Sequence, residues 1–360
     1  MIRVAMLSFW HVHGKDYART AEEHPATEIA AVWDENPERG QLEAAQRGVP
    51  FFARLEDLLA QPDIDGVIVD SPTNLHHPVM IAAARAGKHI FTEKVIAATL
   101  GEAEEIVAAA EQAGVAFVVS MRRLTDPSTV AIRELIAQGA LGQLTLVRVR
   151  DSHSGALRSA ERPDGWLPAQ FYSPEQAQGG ALIDLCHPVY LTRAFLGRPE
   201  GVSALFGYVT GRAVDDNAVV TLRYPSGAVG VVETAYVARY APFSIEVHGT
   251  RGSVLYSETG IGEMIARMRS GAPASASNTA SGGGPDGKLH IRSDNVAGAE
   301  RQWLVRDLPA GLPPAFDEWV THIQRGTRAT ENIAFALDLT AIVEAATRSA
   351  ATGQLVRLGG

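Results

Sequence analysis

Apolar and polar positions follow two different patterns along the chain. Up to about residue 120, short apolar runs, such as residues 3–7, 28–33 and 66–69, alternate with stretches of helical spacing, such as residues 14–23 and 99–113. Strands that alternate with helices of this length need crossover connections, which build a parallel sheet covered by helices on both faces. The pattern predicts a doubly wound α/β domain over residues 1–121.

The pattern changes after residue 121. The next segments are a helical stretch at 126–138, a long strand at 144–150, a polar loop at 152–177 and a helix around 183–196. A series of strand-like runs follows, at 204–210, 217–223, 227–236, 243–249 and 253–256. Consecutive alternating runs are typical of antiparallel strands. We therefore predict a second, α+β domain over residues 122–360, with an open, mostly antiparallel sheet and helices on one face.

The rest of the second domain is predicted to contain a loop, two helices and an oligomer interface. The Gly-rich stretch 271–287 is expected to be a mobile loop, and the helices predicted at 314–325 and 330–350 can pack back on the first domain. The uncovered face of the open sheet predicts a partner subunit, so we expect a homodimer or homotetramer formed through that sheet.

Composition narrows the class of protein. The 360 residues suit two domains, and 41 acidic against 32 basic residues argue against a nucleic-acid partner. A single cysteine, Cys186, excludes an internal disulfide, and no apolar run approaches the length of a membrane helix. We expect a cytoplasmic enzyme with no membrane partner.

The turn after the first strand lacks the glycines of a dinucleotide-binding fold. Ser8, Trp10 and His13 occupy the three positions of the G-x-G-x-x-G motif, so a bound diphosphate has to sit differently or further out. The second strand ends in Asp34, whose carboxylate could accept the ribose hydroxyls of NAD and would repel the 2′-phosphate of NADP. A turn-forming role for Asp34, ahead of Pro37, is the alternative.

The same turn carries the pair His11-Val12-His13, a spacing that can hold zinc in metal-dependent hydrolases. Such a site needs further ligands at later strand ends of a barrel, and the β-rich second half does not continue a barrel. We therefore expect no metal and interpret both histidines as hydrogen-bonding residues that line a pocket, with the hydrolase kept as a third hypothesis.

Three further segments carry a family resemblance. They are Ser71–His76 with Ala86–Lys94 (SPTNLH and AGKHIFTEK), Met121–Leu124 (MRRL) and Gly179–Pro188 (GGALIDLCHP). In order and spacing they resemble the glucose–fructose oxidoreductase, inositol dehydrogenase and rhizopine-catabolism (Gfo/Idh/MocA-type) family. The resemblance implies a Rossmann-type first domain that binds NAD, with NADP less favoured, and a second domain that supplies substrate groups and the oligomer interface.

The resemblance also assigns residues. Lys94 and His187 would carry proton transfer and substrate orientation, with Asp184 near them. The cofactor-binding candidates are Ser8, Trp10, His11, Asp34, Ser71, Pro72, Asn74, His76, Glu93 and Lys94. Three positions depart from the family pattern: Val95 replaces a proline, Asp184 precedes His187 by three residues instead of four, and Tyr190 replaces an aspartate of many members.

The residue types agree with oxidation of a secondary alcohol. A neutral imidazole at His187 can take the hydroxyl proton, while the ammonium of Lys94 stabilises the developing oxyanion, which requires the two groups to converge on one cleft. On one helix, Asp184 and His187 would share a face. Glu93 is expected to point away from Lys94 if the strand before them persists.

Aromatic and basic residues complete the prediction. The substrate-side candidates are Trp166, Phe171, Tyr172, Arg122 and Arg123, because aromatic faces pack on the C–H surfaces of sugars. We predict an NAD(H)-dependent oxidoreductase that acts on a secondary hydroxyl or ketone of a sugar, sugar derivative or cyclitol. Two alternatives remain: a sugar-binding or regulatory relative with a degenerate cofactor site, and an enzyme with tightly held NAD that runs an internal oxidation–elimination–reduction cycle.

Overall fold

The computed structural model describes residues 1–258 and 288–359, which form two compact units. The first consists of Met1–Arg122, Glu175–Gln178 and Pro313–Glu344, and the second of the described residues within Arg123–Pro174, Gly179–Leu312 and Ala345–Gly360. The Gly-rich stretch 271–287 lies outside the described residues. Among the described helices, none combines the length and the apolar character needed to span a bilayer.

The first unit contains the parallel sheet that the sequence predicts. Its strands are β1 (Ile2–Leu7), β2 (Thr27–Trp33), β3 (Phe51–Phe52), β4 (Gly66–Val69), β5 (His89–Thr92) and β6 (Phe117–Val119). They lie in the order β3-β2-β1-β4-β5-β6, and every pair is parallel. The helices between them are α1 (Gly14–Glu23), α2 (Pro37–Arg47), α3 (Leu55–Leu59), α4 (Thr73–Arg85) and α5 (Leu100–Ala113). In this order the carboxyl ends of β1 and β4 are neighbours, which is where ligands bind in doubly wound sheets.

Local chemistry explains how α2 is placed against the end of β2. The Asn36 side chain accepts the N–H groups of Glu38 and Arg39, and Pro37 starts the helix. A Cβ atom at Gly40 would lie 2.7 Å from the Asp34 side chain, so only glycine allows this approach. The helix therefore lies directly against the residue that ends β2.

A late segment of the chain completes the core of the first unit. Helix α10 (Ala315–Arg325) buries Trp319 completely, and the ring centroid of Trp319 lies 5.9 Å from that of Phe91 and 5.5 Å from that of Phe316. The following helix, α11 (Thr330–Thr352), fixes β6 through Asn332, whose side chain accepts the N–H of Val119 and donates to its carbonyl. Buried aromatic area of this size is a main source of stability.

The second unit is built on the predicted open sheet. Its strands are β7 (Leu144–Ser152), β8 (Gly201–Gly207), β9 (Asn217–Arg223), β10 (Val229–Ala235), β11 (Ser244–Gly249), β12 (Gly252–Ser257), β13 (Lys288–Ser293), β14 (Leu304–Arg306) and β15 (Val356–Arg357). The order is β14-β13-β12-β11-β7-β10-β9-β8-β15, with β7 and β10 parallel and the other described pairs antiparallel. Its helices are α6 (Pro127–Ala137), α8 (Ala181–Asp184) and α9 (His187–Leu196), of which α9 packs on β7 and β10. The short helix α7 (Pro174–Ala177) falls mostly in the segment Glu175–Gln178 of the first unit.

The prediction of one continuous helix around residues 183–196 was wrong. The chain from 183 to 196 is not continuous, because α8 ends at Asp184 and α9 begins at His187. Leu185 and Cys186 lie between the two helices, and Pro188 stands in the first turn of α9, where its missing N–H costs nothing. Asp184 and His187 therefore do not share a face of one helix.

The packing of Trp319 gives a stability prediction. Trp319→Ala should lower the free energy of unfolding by roughly 3–5 kcal/mol, because a fully buried indole leaves a large cavity. The matched control is Trp303→Ala, since the Trp303 side chain is 42% exposed, and it should change stability by less than about 0.5 kcal/mol. Urea denaturation followed by circular dichroism measures both, and equal losses in the two variants would contradict the assigned core.

Candidate active site

The turn after β1 has the backbone conformation of a nucleotide-binding turn, but its backbone N–H groups donate to other residues of the protein. Ser8, at the first glycine position, has φ +80°, a left-handed conformation that usually requires glycine. The N–H of Phe9 donates to Asp34 Oδ2 at 3.0 Å, that of Trp10 to the Asp70 carbonyl at 3.2 Å, and that of His11 to Asp70 Oδ2 at 3.1 Å. In related folds such amides face a diphosphate, whereas here they hold two aspartates.

Trp10 is itself part of this packing. Its side chain is buried, and its indole N–H donates to Gln176 Oε1 at 3.0 Å. The segment Glu175–Gln178 belongs to the first compact unit although the residues on either side of it do not. The bulky residue at the second glycine position is thus held by a late piece of chain, a contact with no signal in the sequence.

The predicted ribose-binding residue is already surrounded by donors. Asp34 is 1% exposed and accepts Nε and Nη2 of Arg39 at 2.8 and 2.7 Å, together with the N–H groups of Phe9 and Asn36. A ribose hydroxyl can reach this carboxylate only by displacing one of them. Glu35 also pairs with Arg39, but its Oε2 is buried without a hydrogen-bond partner. Burial and the neighbouring charge of Asp34 raise the pKa of Glu35.

A second cluster surrounds Glu93, just after the end of β5. The Tyr17 hydroxyl donates to Glu93 Oε2, His13 Nδ1 lies 3.1 Å from the same oxygen, and Oε1 accepts the backbone N–H of Lys94 at 2.9 Å. The ammonium Nζ of Lys94 lies 3.5 Å from Oε1. Burial alone would raise the pKa of Glu93, but the charges of Lys94, His11 and His13 hold it well below its usual range. Glu93 is therefore a buried carboxylate anion.

The strand on which the expected opposite orientation of Glu93 and Lys94 depends does not continue to these residues. Strand β5 ends at Thr92, so the alternation of a strand does not extend to these two residues, and the Lys94–Val95 peptide bond is cis. Lys94 is 5% exposed and pairs with Glu93, which makes it a buried cation and not a solvated one. Tyr17, whose hydroxyl oxygen accepts from Ser120 Oγ at 2.8 Å, is a member of the cluster that the sequence did not reveal.

The remaining cofactor candidates lie around the start of α4. Ser71 is buried with no partner for its hydroxyl, Pro72 caps the helix, and Asn74 is exposed on its first turn. Both ring nitrogens of His76 face carbonyl oxygens, that of Val95 at 2.8 Å and that of Ser71 at 3.0 Å. His76 therefore ties the loop after β4 to the loop after β5.

In the second unit, His187 is held by a tyrosine. Nδ1 of His187 lies 2.7 Å from the Tyr190 hydroxyl, which is fully buried and accepts the backbone N–H of Arg123 at 3.1 Å. The Arg123 guanidinium stacks 3.8 Å from the centroid of the Phe243 ring and pairs with Asp126 and Glu258. Tyr190, which replaces an aspartate of many family members, thus orients the imidazole. Arg122 lies, half-buried, in a short 3-10 turn over Arg122–Leu124.

An aromatic group forms around Asp184 in the same unit. The ring of His153 stacks on Tyr236 at 5.1 Å between centroids and lies 4.7 Å from the Trp166 ring, while Tyr172 meets Tyr236 edge-on at 6.2 Å. Burial, followed by the charge and hydrogen bond of Asp184, raises the pKa of Tyr236 well above its usual value.

Two predicted substrate residues differ in their surroundings. Trp166 and Tyr172 are half-buried at this group, whereas Phe171 is 2% exposed and packs in the hydrophobic core beneath them. The sequence did not identify His153 or Tyr236, although each directly follows a strand, β7 and β10. These strands are parallel neighbours, and Ser152 pairs with Ala235 at their ends, so both aromatic rings emerge at the same edge of the sheet.

Comparison with known proteins gives two family matches. Residues 2–121 match the model of an oxidoreductase family with an NAD-binding Rossmann fold, and residues 129–255 match the model of the GFO/IDH/MocA C-terminal domain. The 1,5-anhydro-D-fructose reductase of Ensifer adhaerens is 30% identical over 233 residues, which cover 63% of this chain and 68% of that protein. The myo-inositol 2-dehydrogenase of Thermotoga maritima is 30% identical over 206 residues, 55% of this chain and 58% of that protein.

Solved structures give the same picture over the full length. GenD2 from gentamicin A biosynthesis, in complex with NAD, has a TM-score of 0.78 at 25% identity and covers 100% of this chain and 97% of its own. A levoglucosan dehydrogenase complex with NADH and L-sorbose has a TM-score of 0.79 at 21% identity, covers 100% and 99%, and supports the fold alone. The predicted family and fold class are thereby confirmed: the chain belongs to the Gfo/Idh/MocA family of oxidoreductases.

Proposed function

We propose that the protein is an NAD(H)-dependent oxidoreductase that transfers hydride between nicotinamide and a secondary hydroxyl or ketone of a sugar, sugar derivative or cyclitol. The observation that carries the proposal is the buried pair of Lys94 and Glu93 at the carboxyl edge of a six-stranded parallel sheet whose family model is NAD-binding. Relatives that reduce anhydrofructose or oxidise myo-inositol support the substrate class.

The cofactor edge of the first unit suits NAD better than NADP. Asp34 and Glu35 place two carboxylates at the end of β2, and Arg39 is bound to both of them. A 2′-phosphate would meet the negative charge of these two carboxylates, and Arg39 is already paired with both of them. The partnerless Oε2 of Glu35 offers an acceptor for a ribose hydroxyl that Asp34 does not.

Lys94 and His187 are assigned to the reacting oxygen and to its proton. The nicotinamide ring, when bound, supplies the hydride acceptor or donor. Lys94 binds the reacting oxygen and stabilises its negative charge, and its burial with Glu93 makes that charge effective because little water screens it. His187 exchanges the hydroxyl proton, and Tyr190 holds its Nδ1 so that the ring cannot rotate.

The substrate ring is assigned to the aromatic group of the second unit. Trp166 offers a face for C–H groups, and Asp184 with His153 supplies polar contacts to hydroxyls. One face of Tyr172 is covered by the Arg212 guanidinium, 3.8 Å from the ring centroid. Several carboxylates lie near these rings, among them Asp184 and Asp215, so a neutral polyol fits this group better than a phosphorylated sugar.

One observation favours a second function. The amides of Phe9, Trp10 and His11 are bound to Asp34 and Asp70, so a dinucleotide finds fewer donors at this turn than in most relatives of the fold. A sugar-binding or regulatory relative, or an enzyme with tightly held NAD that runs an internal oxidation cycle, would use the same fold. Absorbance of reduced nicotinamide in the protein as purified identifies the tight-cofactor form.

Lys94→Met is expected to reduce kcat by about 10²–10⁴-fold on a panel of polyols and sugars, because the variant keeps the length of the side chain and loses the ammonium. NADH binding, followed by nucleotide fluorescence, should change little. Lys288→Met, which removes an exposed lysine of β13, is the matched control. Since the substitution leaves Glu93 without its cation, circular dichroism must first show a folded variant; a folded variant with wild-type turnover would refute the role of Lys94.

His187→Gln should lower kcat by about 10²–10⁴-fold, and Tyr190→Phe by only about two- to tenfold, the effect of one lost orienting hydrogen bond. The equivalent substitution His290→Gln, on β13, is the control and should leave turnover unchanged. Steady-state kinetics rank the three variants. A larger loss in Tyr190→Phe than in His187→Gln would show that the imidazole is not the proton carrier.

The pH dependence of stability tests the aromatic group. Burial lowers the pKa of His153 from 6.5, although Asp184 opposes the shift. The unfolded chain therefore takes up the proton first, so the stabilising contribution is complete above about pH 6.5 and is lost as the pH falls through the folded-state pKa. Other buried histidines act in the same direction, so urea unfolding between pH 8 and 5 should show a smaller loss in His153→Gln than in wild type. Identical pH profiles would contradict the burial of a neutral ring.

A further inference from the structure

We propose that His11, His13 and Glu93 form a binding site for one divalent transition-metal ion. The sequence offered the two histidines without a third ligand, and the fold brings Glu93 to them from the end of β5. Nothing in this inference depends on the proposed dehydrogenase activity.

The distances fit a shared ion. One ligand atom from each of the three residues lies within 4.8 Å of those of the other two. His13 Nδ1 is 3.1 Å and His11 Nδ1 is 4.0 Å from Glu93 Oε2. Ligands held about 2.1 Å from a metal lie roughly 3.0–3.4 Å from one another, so His13 and Glu93 are already at the required separation. His11 has to move closer or present its other nitrogen, because its Nδ1 lies 4.0 Å from Oε2 and also accepts the N–H of His13.

The ligands are held in place by the surrounding structure. The imidazole rings of His11 and His13 lie 4.5 Å apart between centroids, and the His11 backbone is fixed by Asp70. Tyr17 bonds Glu93 and is itself bonded to Ser120. Such outer contacts orient ligands and raise the affinity of metal sites.

The two oxygens of Glu93 have different neighbours, and Oε2 also accepts the Tyr17 hydroxyl. Lys94 occupies the Oε1 side, with its ammonium at 3.5 Å, while the two imidazoles face Oε2. Asp70 is completely buried beside the His11 backbone, and its Oδ1 has no hydrogen-bond partner. Glu93 is thus the carboxylate that a divalent ion would meet beside the two imidazoles.

The donor set selects the class of ion. Two imidazole nitrogens and one carboxylate suit Zn²⁺, Co²⁺ or Fe²⁺, whereas Mg²⁺ and Ca²⁺ prefer oxygen ligands alone. Three protein ligands leave a coordination position open, as in catalytic sites, for water or a substrate hydroxyl. A metal there would lower the pKa of the bound oxygen group.

The same distances also describe a hydrogen-bonded cluster without metal, in which His13 donates to Glu93. A titration separates the two. Full-length, tag-free protein is stripped with a chelator and titrated with Co²⁺, whose visible absorption reports the coordination geometry. Equilibrium dialysis with elemental analysis gives the stoichiometry, and Zn²⁺ serves as the competitor.

We expect one Co²⁺ per chain, displaced by Zn²⁺, and at least a 100-fold loss of affinity in His11→Gln and in His13→Gln. Glutamine keeps a hydrogen-bonding group at each position, so the variants should retain the fold, which circular dichroism checks. His77→Gln is the matched control, because His77 lies half-buried on α4 and pairs with Glu105 outside the cluster. Absence of stoichiometric binding at micromolar Co²⁺, or equal affinity in the His11, His13 and His77 variants, would overturn the proposal.

Discussion

A carboxylate that is removed from water must be surrounded by donors and positive charge, and the first unit is organised around this requirement at Glu93. Its donors come from three places in the chain: Tyr17 on α1, His13 in the turn after β1, and Lys94 next to it. The carboxylate therefore links the carboxyl edges of β1 and β5. It also pairs with the buried Lys94, and a charged lysine can stabilise an oxyanion.

The first turn shows how a nucleotide-binding fold can change its chemistry without changing its path. Ser8 adopts the left-handed backbone conformation of the missing glycine, so β1 still leads into α1. The amides that glycines would expose now hold Asp34 and Asp70. The turn has become rich in carboxylates and imidazoles, and this is the physical reason why a metal ion and a dinucleotide are both reasonable ligands of the same edge.

Periodicity predicted most of the fold, because each β and α segment of the first unit buries one regular face. The bounds predicted for α1 and β4 agree with the structure. Contacts between distant segments cannot be read from the periodicity of the sequence. The pairing of β7 with β10, which places His153 beside Tyr236, and the approach of Glu93 to His13 depend on tertiary packing. The break between Asp184 and His187 was missed because both flanking segments have helical spacing, with no glycine between them.

The most direct test of this account is a crystal structure of the protein with NADH at millimolar concentration. The account predicts a nicotinamide ring beside Lys94 and an adenosine ribose whose hydroxyls meet Asp34 or Glu35 at the end of β2. A dinucleotide bound away from the carboxyl edge of the six-stranded sheet, or no dinucleotide in crystals soaked at that concentration, would contradict it.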